Sequence, residues 1–477
     1  MNDLDLISID AAILLPLVAA PLVWRIKSSD RARSWSLAIA ACTLLLVLAG
    51  WIAFAFTPGD AVLPAGDVAD RYLADRYFHV DSLNAPLLAL VAMMHLLAIA
   101  TTVKGKMVRF SFGRTLMIEA VTLATFASQT NWLLIILLAV GAIAPMRELR
   151  VRHRSSRVFA AYMLLSVVLL AVGQLLVDSE GGGENVSIAA LVLLLGGIFI
   201  RAGLVPFHSW IPDLFENAGF GTALTFTTPL TGALAASRLL LPIAPPWAIQ
   251  VLSIVALASA IYAAGMALVQ QEVRRYFSYF LLSYSAIVLV GLSMDRLTGL
   301  AGGLCVWLSA GLAIAGMGTV LRAVEARVGH LSLSRFHGLY EHMPLLAAFF
   351  LLCGLAVVGF PGTFGFIGNE MLFDGALATG IHVGLVLVIA TALNGISLLA
   401  VYFRIFTGGQ HKSTVSIARR PAERFAVLAL TFIILAGGLF PQPIIASRYR
   451  AAKQLLADRA TQPTTVELAQ SATSPAH

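Results

Sequence analysis

Apolar runs of about twenty residues follow one another from residue 8 to residue 446, and a bilayer core roughly 30 Å thick needs a helix of that length to cross it. Charged residues supply only 12% of the 477 positions, about half of what a soluble domain uses to clothe its surface. A water-soluble globule is excluded, and so is a disordered chain. The runs are much longer than the ten or so residues of a barrel strand and do not alternate, which excludes a transmembrane β-barrel. The expected class is an all-α polytopic membrane protein. Cutting at charged or turn-rich breaks places spans at 8–24, 35–56, 82–103, 113–129, 131–147, 157–177, 187–212, 220–241, 247–269, 277–294, 298–321, 343–375, 380–406 and 424–446, about 14 in all. The first run follows Asp3, Asp5 and Asp10 rather than a positive segment, so it reads as a first span and not as a cleaved signal.

Orientation follows from Lys and Arg, which concentrate in cytoplasmic connections. With the N-terminus outside, the cytoplasmic connections hold Arg25, Lys27, Arg31 and Arg33, then Lys104, Lys106, Arg109 and Arg114, then five arginines from Arg147 to Arg157. Arg274 and Arg275 follow, then Arg322, Arg327 and Arg335, and finally Arg404, Lys412, Arg419, Arg420 and Arg424. The outer side keeps only Arg71, Arg76, Arg296, Arg448, Arg450, Lys453 and Arg459, beside the acidic stretch 57–81 with Asp60, Asp67, Asp70, Asp75 and Asp81. The net charge of +7 is therefore a topology signal, and nucleic acid is excluded as a partner. Both termini are expected outside, with a flexible tail over 447–477 rich in Ala, Thr and Gln. Cys42, Cys305 and Cys353 lie in apolar runs and imply neither a disulfide framework nor a metal site. No Walker loop, Rossmann fingerprint, CxxC cluster or haem-ligand spacing occurs, so no cofactor is expected and no residue is assigned to catalysis.

Two spans are interrupted by Pro and Gly. The first break runs from Ile200 through Gly203, Pro206 and His208 to Asp213, and the second from Gly359 through Pro361, Gly362 and Asn369 to Glu370. Proline removes a backbone donor and clashes one turn back, so each helix must open there. Irregular backbone at membrane depth survives only inside protein or along a wet cavity, and paired interruptions point to inverted-repeat transporters. A pair of simple packing kinks is the bland alternative.

Four ordered motifs carry a family resemblance over about residues 78 to 410. They are Phe78-His79-Val80-Asp81-Ser82-Leu83-Asn84; Pro206-Phe207-His208-Ser209-Trp210-Ile211-Pro212-Asp213; Glu272-Val273-Arg274-Arg275 with Tyr279; and His337-Gly338-Leu339 followed by Met343-Pro344 and Gly359-Phe360-Pro361-Gly362-Thr363. The chain resembles the antiporter-like membrane subunits of respiratory complex I (NADH:quinone oxidoreductase), of Mrp cation/proton antiporters and of membrane-bound hydrogenases. The resemblance implies two inverted five-helix repeats, spans 4–8 and 9–13, each with a broken helix. The corresponding units are 1–110, an N-terminal three-helix segment; 111–242 and 243–410, the two bundles; 411–446, the last span; and 447–477, the tail. It also implies a proton-translocating or ion-coupled assembly, with further membrane subunits and a soluble enzyme as partners. The expected location is a bacterial inner membrane, with the lipid bilayer as surroundings. Any catalytic activity would belong to an oxidoreductase assembly and not to this chain alone. Two alternatives stand beside it: the membrane half of a two-part inorganic-carbon uptake system, and a non-conducting scaffold that docks a soluble enzyme.

The relay that the resemblance implies is largely missing. Ala139 or Val140 stands where the fifth-span Glu belongs, the break lysine falls on Arg201, and span 8 offers Thr225, Phe226, Thr227 and Thr228. Span 11 has no ionisable side chain except Cys305, and the second-break position falls on Asn369 with Glu370 next to it. A relay group must release its proton, and a guanidinium with an intrinsic pKa above about 12 does not do so readily. Charged groups inside spans are costly and read as functional. Glu119 sits mid-span and Arg201 beside a break, and Glu370 and Asp374 lie four apart on one helical face. Glu119 is expected to replace the missing carboxylate and pair with Arg201. His95 reads either as a relay member or as a packed histidine, and His208 as a hydrogen-bonding support of the first break. Arg238 is expected to snorkel. Tyr279, Ser283 and Tyr284 border one stretch of span 10, and water wires lined by hydroxyls stay open as an alternative path. A reporter active only in the cytoplasm should be active when fused after residue 415 and silent after residue 460; the reverse pattern contradicts this orientation.

Overall fold

The computed structural model describes residues 3–56, 77–102, 110–181, 186–409 and 421–460. Most of the acidic outer stretch, with Asp60, Asp67, Asp70 and Asp75, lies outside the described residues. So do Lys104, Lys106, Arg109, Lys412, Arg419, Arg420 and the tail from residue 461.

Helices make up most of the described chain. In order they are α1 (Asp3–Trp24), α2 (Ser29–Phe56), α3 (Ala85–Ala100), α4 (Phe112–Ala127), α5 (Asn131–Val151), α6 (Arg157–Ser179) and α7 (Ile188–Ala202). Then come α8 (Trp210–Asn217), α9 (Phe220–Thr227), α10 (Thr231–Ala235) with a π-helical turn over Ala236–Leu240, α11 (Pro246–Val269) and α12 (Val273–Leu292). The rest are α13 (Leu297–Val328), α14 (Pro344–Val358), α15 (Phe364–Thr379), α16 (Ile381–Phe406), α17 (Pro421–Leu439) and α18 (Gln442–Ala460). Among the described residues, seven helices are long and apolar enough to cross a membrane by themselves: α2, α5, α6, α11, α12, α13 and α16. Four shorter apolar stretches, Ser8–Trp24 within α1 and the helices α3, α7 and α14, fall below that length, the last two because each stops at a break.

Helix α13 is the mast of the bundle. Its most apolar stretch is buried along its whole length, and an all-round apolar helix has to sit inside. Glycines let neighbouring backbones reach it. A methyl group at Gly302 would lie 2.4 Å from the Leu372 amide nitrogen, and one at Gly303 would lie 2.6 Å from the Gly291 Cα. Small residues at helix contacts serve the same close approach throughout membrane proteins.

The opening motif of span 3 is a hydrogen-bonded turn that leads into α3. Asp81 Oδ1 accepts from the backbone amides of Leu83 at 2.9 Å and Asn84 at 2.8 Å, while Asn84 Nδ2 donates to the Phe126 carbonyl at 3.0 Å. Arg238 does not snorkel. It pairs with Asp81, because the carboxylate already held at the start of α3 lies within its reach.

Two expectations need correction. The segment from Ser447, expected to be flexible, is helical to Ala460 as part of α18. Its buried Arg448 donates to the carbonyls of Leu83 at 3.0 Å and Ser82 at 2.6 Å, and Arg459 donates to those of Met294 and Leu292. Helix α18 thus turns 74° from α17 and lies across the end of the bundle where α3 begins and α12 finishes. Span 8, expected to be continuous, breaks at Pro229. Leu230 adopts a left-handed φ of 56°, and Trp307 Nε1 holds the Pro229 carbonyl at 3.1 Å.

Candidate functional site

At the first break α7 stops at Ala202, with Gly203 left-handed at φ 71°, and the chain restarts as α8 at Trp210. The opened backbone is answered by side chains. Trp210 Nε1 donates to the Ile200 carbonyl at 2.8 Å, Ser285 Oγ to the Ala202 carbonyl at 3.2 Å, and the Val205 amide donates to Ser259 Oγ at 2.9 Å. Pro206 is exposed, and His208 is half-buried against Tyr262, whose hydroxyl lies 3.4 Å from its Nε2.

Arg201 stands between this break and the break at Pro229. Its Nε donates to Thr231 Oγ1 at 2.9 Å, and its Nη1 lies 3.2 Å from Met163 Sδ and 3.5 Å from the Leu138 carbonyl. The guanidinium rests 4.8 Å over the Phe226 ring, a cation–π contact. The cavity beside it measures only about 10 Å³, room for one water at most. Every partner is neutral, and the last turn of α7 favours a cation through its carbonyl dipoles.

The pair with Glu119 does not form. Among the described residues, neither carboxylate oxygen of Glu119 has a hydrogen-bond partner, although the side chain is fully buried. The reason is placement: α4 packs on α1, α3 and α5, whereas α7 packs on α6 and α10, so Leu138, Met163 and Thr231 fill the reach of Arg201. Glu119 instead belongs to a set of unanswered groups in the N-terminal helices. His95 engages the Val91 carbonyl through Nδ1 at 2.9 Å, while its Nε2, like Ser36 Oγ, is buried without a partner.

At the second break α14 ends before Gly359, left-handed at φ 90°, and α15 begins at Phe364. Pro361 and Gly362 are exposed. Asn369 Nδ2 donates to the Val357 carbonyl at 3.4 Å, so this side chain caps the opened helix. Glu370 and Asp374 share the exposed side of α15 and do not enter the bundle.

A line of uncharged polar groups runs between α12 and α16. Asn394 Nδ2 donates to Ser283 Oγ at 2.8 Å, Ser283 to the Ala260 carbonyl at 2.9 Å, and Ser397 Oγ to the Asn394 carbonyl at 2.8 Å. Three polar atoms on these helices are buried and unanswered: Tyr276 Oη, Tyr284 Oη and Asn394 Oδ1. A cavity of about 270 Å³ leads to Ser397 from the end of the bundle that carries Gln270, Gln271, Ser334 and Arg404. Tyr279 turns away from this line toward His208, with ring centres 6.1 Å apart. Sequence reasoning found Ser283 and Tyr284 but missed Tyr276, Asn394 and Ser397. An Asn in the middle of an apolar span is the signal that would have found the line.

Residues 158–394 match the family described as NADH:quinone oxidoreductase/Mrp antiporter, transmembrane. The chain is 26% identical to NAD(P)H-quinone oxidoreductase chain 4 of Synechococcus sp. (strain JA-3-3Ab), covering 92% of this chain and 90% of that one. Its fold is similar to a chain of respiratory complex I from Thermus thermophilus, with TM-score 0.81 and 21% identity, covering 94% of this chain and 99% of that one. It is also similar to a chain of the Mrp complex from Dietzia sp., with TM-score 0.80 and 18% identity over 94% and 97% of the two chains.

Because Arg201 rests on Thr231 and not on Glu119, Thr231→Val should cost about 1.5–3 kcal/mol, the worth of a hydrogen bond to a charged group. Adding Glu119→Gln should change stability independently, within about 0.5 kcal/mol of additivity. Unfolding midpoints of the purified variants measure both, and a coupling well above that value would restore the pair.

Proposed function

The chain belongs to the NADH:quinone oxidoreductase/Mrp antiporter family of membrane subunits, and we propose that it serves as the antiporter-like subunit of a proton-translocating assembly in a bacterial inner membrane. The reading includes about 14 spans, with spans 4–8 and 9–13 as inverted repeats. Support comes from two helices of 15 residues, α7 and α14, that each end on a left-handed glycine shortly before a proline. Both termini are assigned to the outer side, with α18 resting where α3 begins.

The observation that carries the mechanism is the uncharged line Ser397–Asn394–Ser283 at the foot of the 270 Å³ cavity. Buried polar atoms lacking a protein partner are normally answered by water, and a water held by two to four such groups joins them into one hydrogen-bonded path. Tyr276, Tyr284 and Asn394 supply those groups, so protons cross the second half along water held by hydroxyls and an amide. Arg201 takes no part in transfer: it is sealed, surrounded by neutral partners and fixes the first half. Glu119 on α4 and His95 on α3 are each buried with unpartnered polar atoms and stand apart from this line.

Glu370 and Asp374 bear on the partners. Carboxylates exposed on an apolar helix are costly against lipid, so a neighbouring membrane subunit covers this side of α15. A soluble enzyme partner completes the assembly. In membrane vesicles containing the assembled complex, Asn394→Leu should lower proton flux about tenfold or more, the rate expected when a barrier rises by roughly 1.4 kcal/mol or more. Copurification with partner subunits should stay unchanged. Unaltered flux would refute the path, and an assembly that moves no ions at all would favour the scaffold.

A further inference from the structure

At the end of the bundle where α4 begins and α5 finishes, a cavity of about 490 Å³ opens between α4, α5, α9, α12 and α13. Its charge does not balance among the described residues. Four guanidinium groups, Arg114, Arg152, Arg274 and Arg322, line it together with two carboxylates, Glu148 and Glu325.

The carboxylates are already engaged. Glu148 accepts from Arg114 Nη2 at 3.2 Å, from Arg152 Nε at 2.9 Å, from the Gly219 amide at 2.9 Å and from the Thr222 hydroxyl. Glu325 accepts from Arg274 Nε at 2.8 Å. Among the described residues, Arg322 faces no carboxylate within ion-pair distance. Its Nη1 and Nη2 donate to the Ala98 carbonyl at 2.7 Å and to Thr102 Oγ1 at 2.9 Å, and it rests 5.0 Å over the Phe110 ring. Arg322 is half-buried, and Glu148 acts on it only at longer range while engaged by Arg114 and Arg152, so the cation has room for a closer counter-charge.

Donors remain to meet one. A guanidinium carries five N–H groups, and Arg114 and Arg152 each give Glu148 a single nitrogen. The first turn of α9, with Gly221 and Thr222, borders the same space and adds the positive end of an eight-residue helix. Two glycines keep this wall thin. A methyl at Gly219 would lie 2.4 Å from Glu148 Oε1, and one at Gly221 would lie 3.1 Å from the guanidinium carbon of Arg322.

We propose that this cavity binds a phosphate group. The excess of two positive charges matches a phosphate dianion, and guanidinium forks pair with tetrahedral oxyanions through paired N–H bonds. A bound phosphate joins Arg114 of α4 and Arg152 at the end of α5 to Arg322 of α13, adding to the contacts that α9 already makes on both sides. The proposal is independent of the transport reading, because it concerns ligand binding and not flux. The phosphate is either a soluble anion or the headgroup of an anionic lipid, and the test separates these sources.

The purified full chain, in nanodiscs of neutral phosphatidylcholine, is titrated with inorganic phosphate while its unfolding temperature is followed. A saturable rise is expected, absent with chloride at equal ionic strength and weakened about tenfold or more in Arg322→Gln. Arg152 has a half-exposed side chain, so Arg152→Gln provides a second variant whose folding does not rest on a buried arginine, and it should weaken binding as well. In parallel, native mass spectrometry of protein extracted from its own membrane reads retained lipid. Phosphatidylglycerol retained by the parent and lost from Arg152→Gln would assign the phosphate to a headgroup. Absence of both soluble and lipid phosphate, or binding that neither variant weakens, would overturn the proposal.

Discussion

A helix that opens inside an apolar bundle leaves carbonyls and amides with no water to receive them, and the rest of this structure is arranged around answering them. At the first break Trp210, Ser259 and Ser285 do so from three different helices. At Pro229 the partner is Trp307 on α13, and at the second break it is Asn369 one helix later. Each answer fixes a neighbour. Helices α8, α11 and α12 are pinned to the first break, and α15 returns over the last turn of α14 so closely that a methyl group at Gly365 would lie 1.8 Å from the Ala356 carbonyl. Polar residues used in this way are committed to backbone, which removes Asn369 and Ser285 from the list of groups free to carry an ion.

What remains in the second half is small and neutral. Around α13 the glycine contacts bring backbones almost into touch, so little room is left for long charged side chains between α12, α13 and α15. Polarity is found one layer away, between α12 and α16, where Ser, Asn and Tyr fit among apolar neighbours without the large desolvation cost of an ion. The guanidinium of Arg201 survives in the first half because its charge is spread over a planar group that stacks on Phe226 and reaches Thr231 and a helix carbonyl.

Much of this was legible in the sequence, because it depends on residue type at fixed spacing. Apolar length marks the long helices, and Gly203 with Pro206 and Gly359 with Pro361 mark the two matched breaks. The opening of α3 was visible in Asp81 and Asn84. The break at Pro229 was not, since the left-handed turn falls on Leu230 and not on a glycine, and only tertiary packing sustains it. Helix α18 was hidden for a related reason. Its residues favour helix but show no apolar run, and its hold on the bundle comes from Arg448 and Arg459 reaching distant carbonyls. The supposed Glu119–Arg201 pair failed because membership of neighbouring spans does not say which faces meet, and α5, α6, α9 and α10 supply the contacts that Arg201 makes.

The central claim is that water, and not a chain of ionisable side chains, completes the path through the second half. A cryo-electron microscopy map of the assembled complex, sharp enough to place ordered waters, examines it most directly. Waters running from the cavity beside Ser397 and Arg404 to Tyr276, Asn394 Oδ1 and Tyr284 are predicted, each within hydrogen-bond reach of the next. A dry gap between Ser397 and Tyr284, with those three atoms still unanswered, would contradict it.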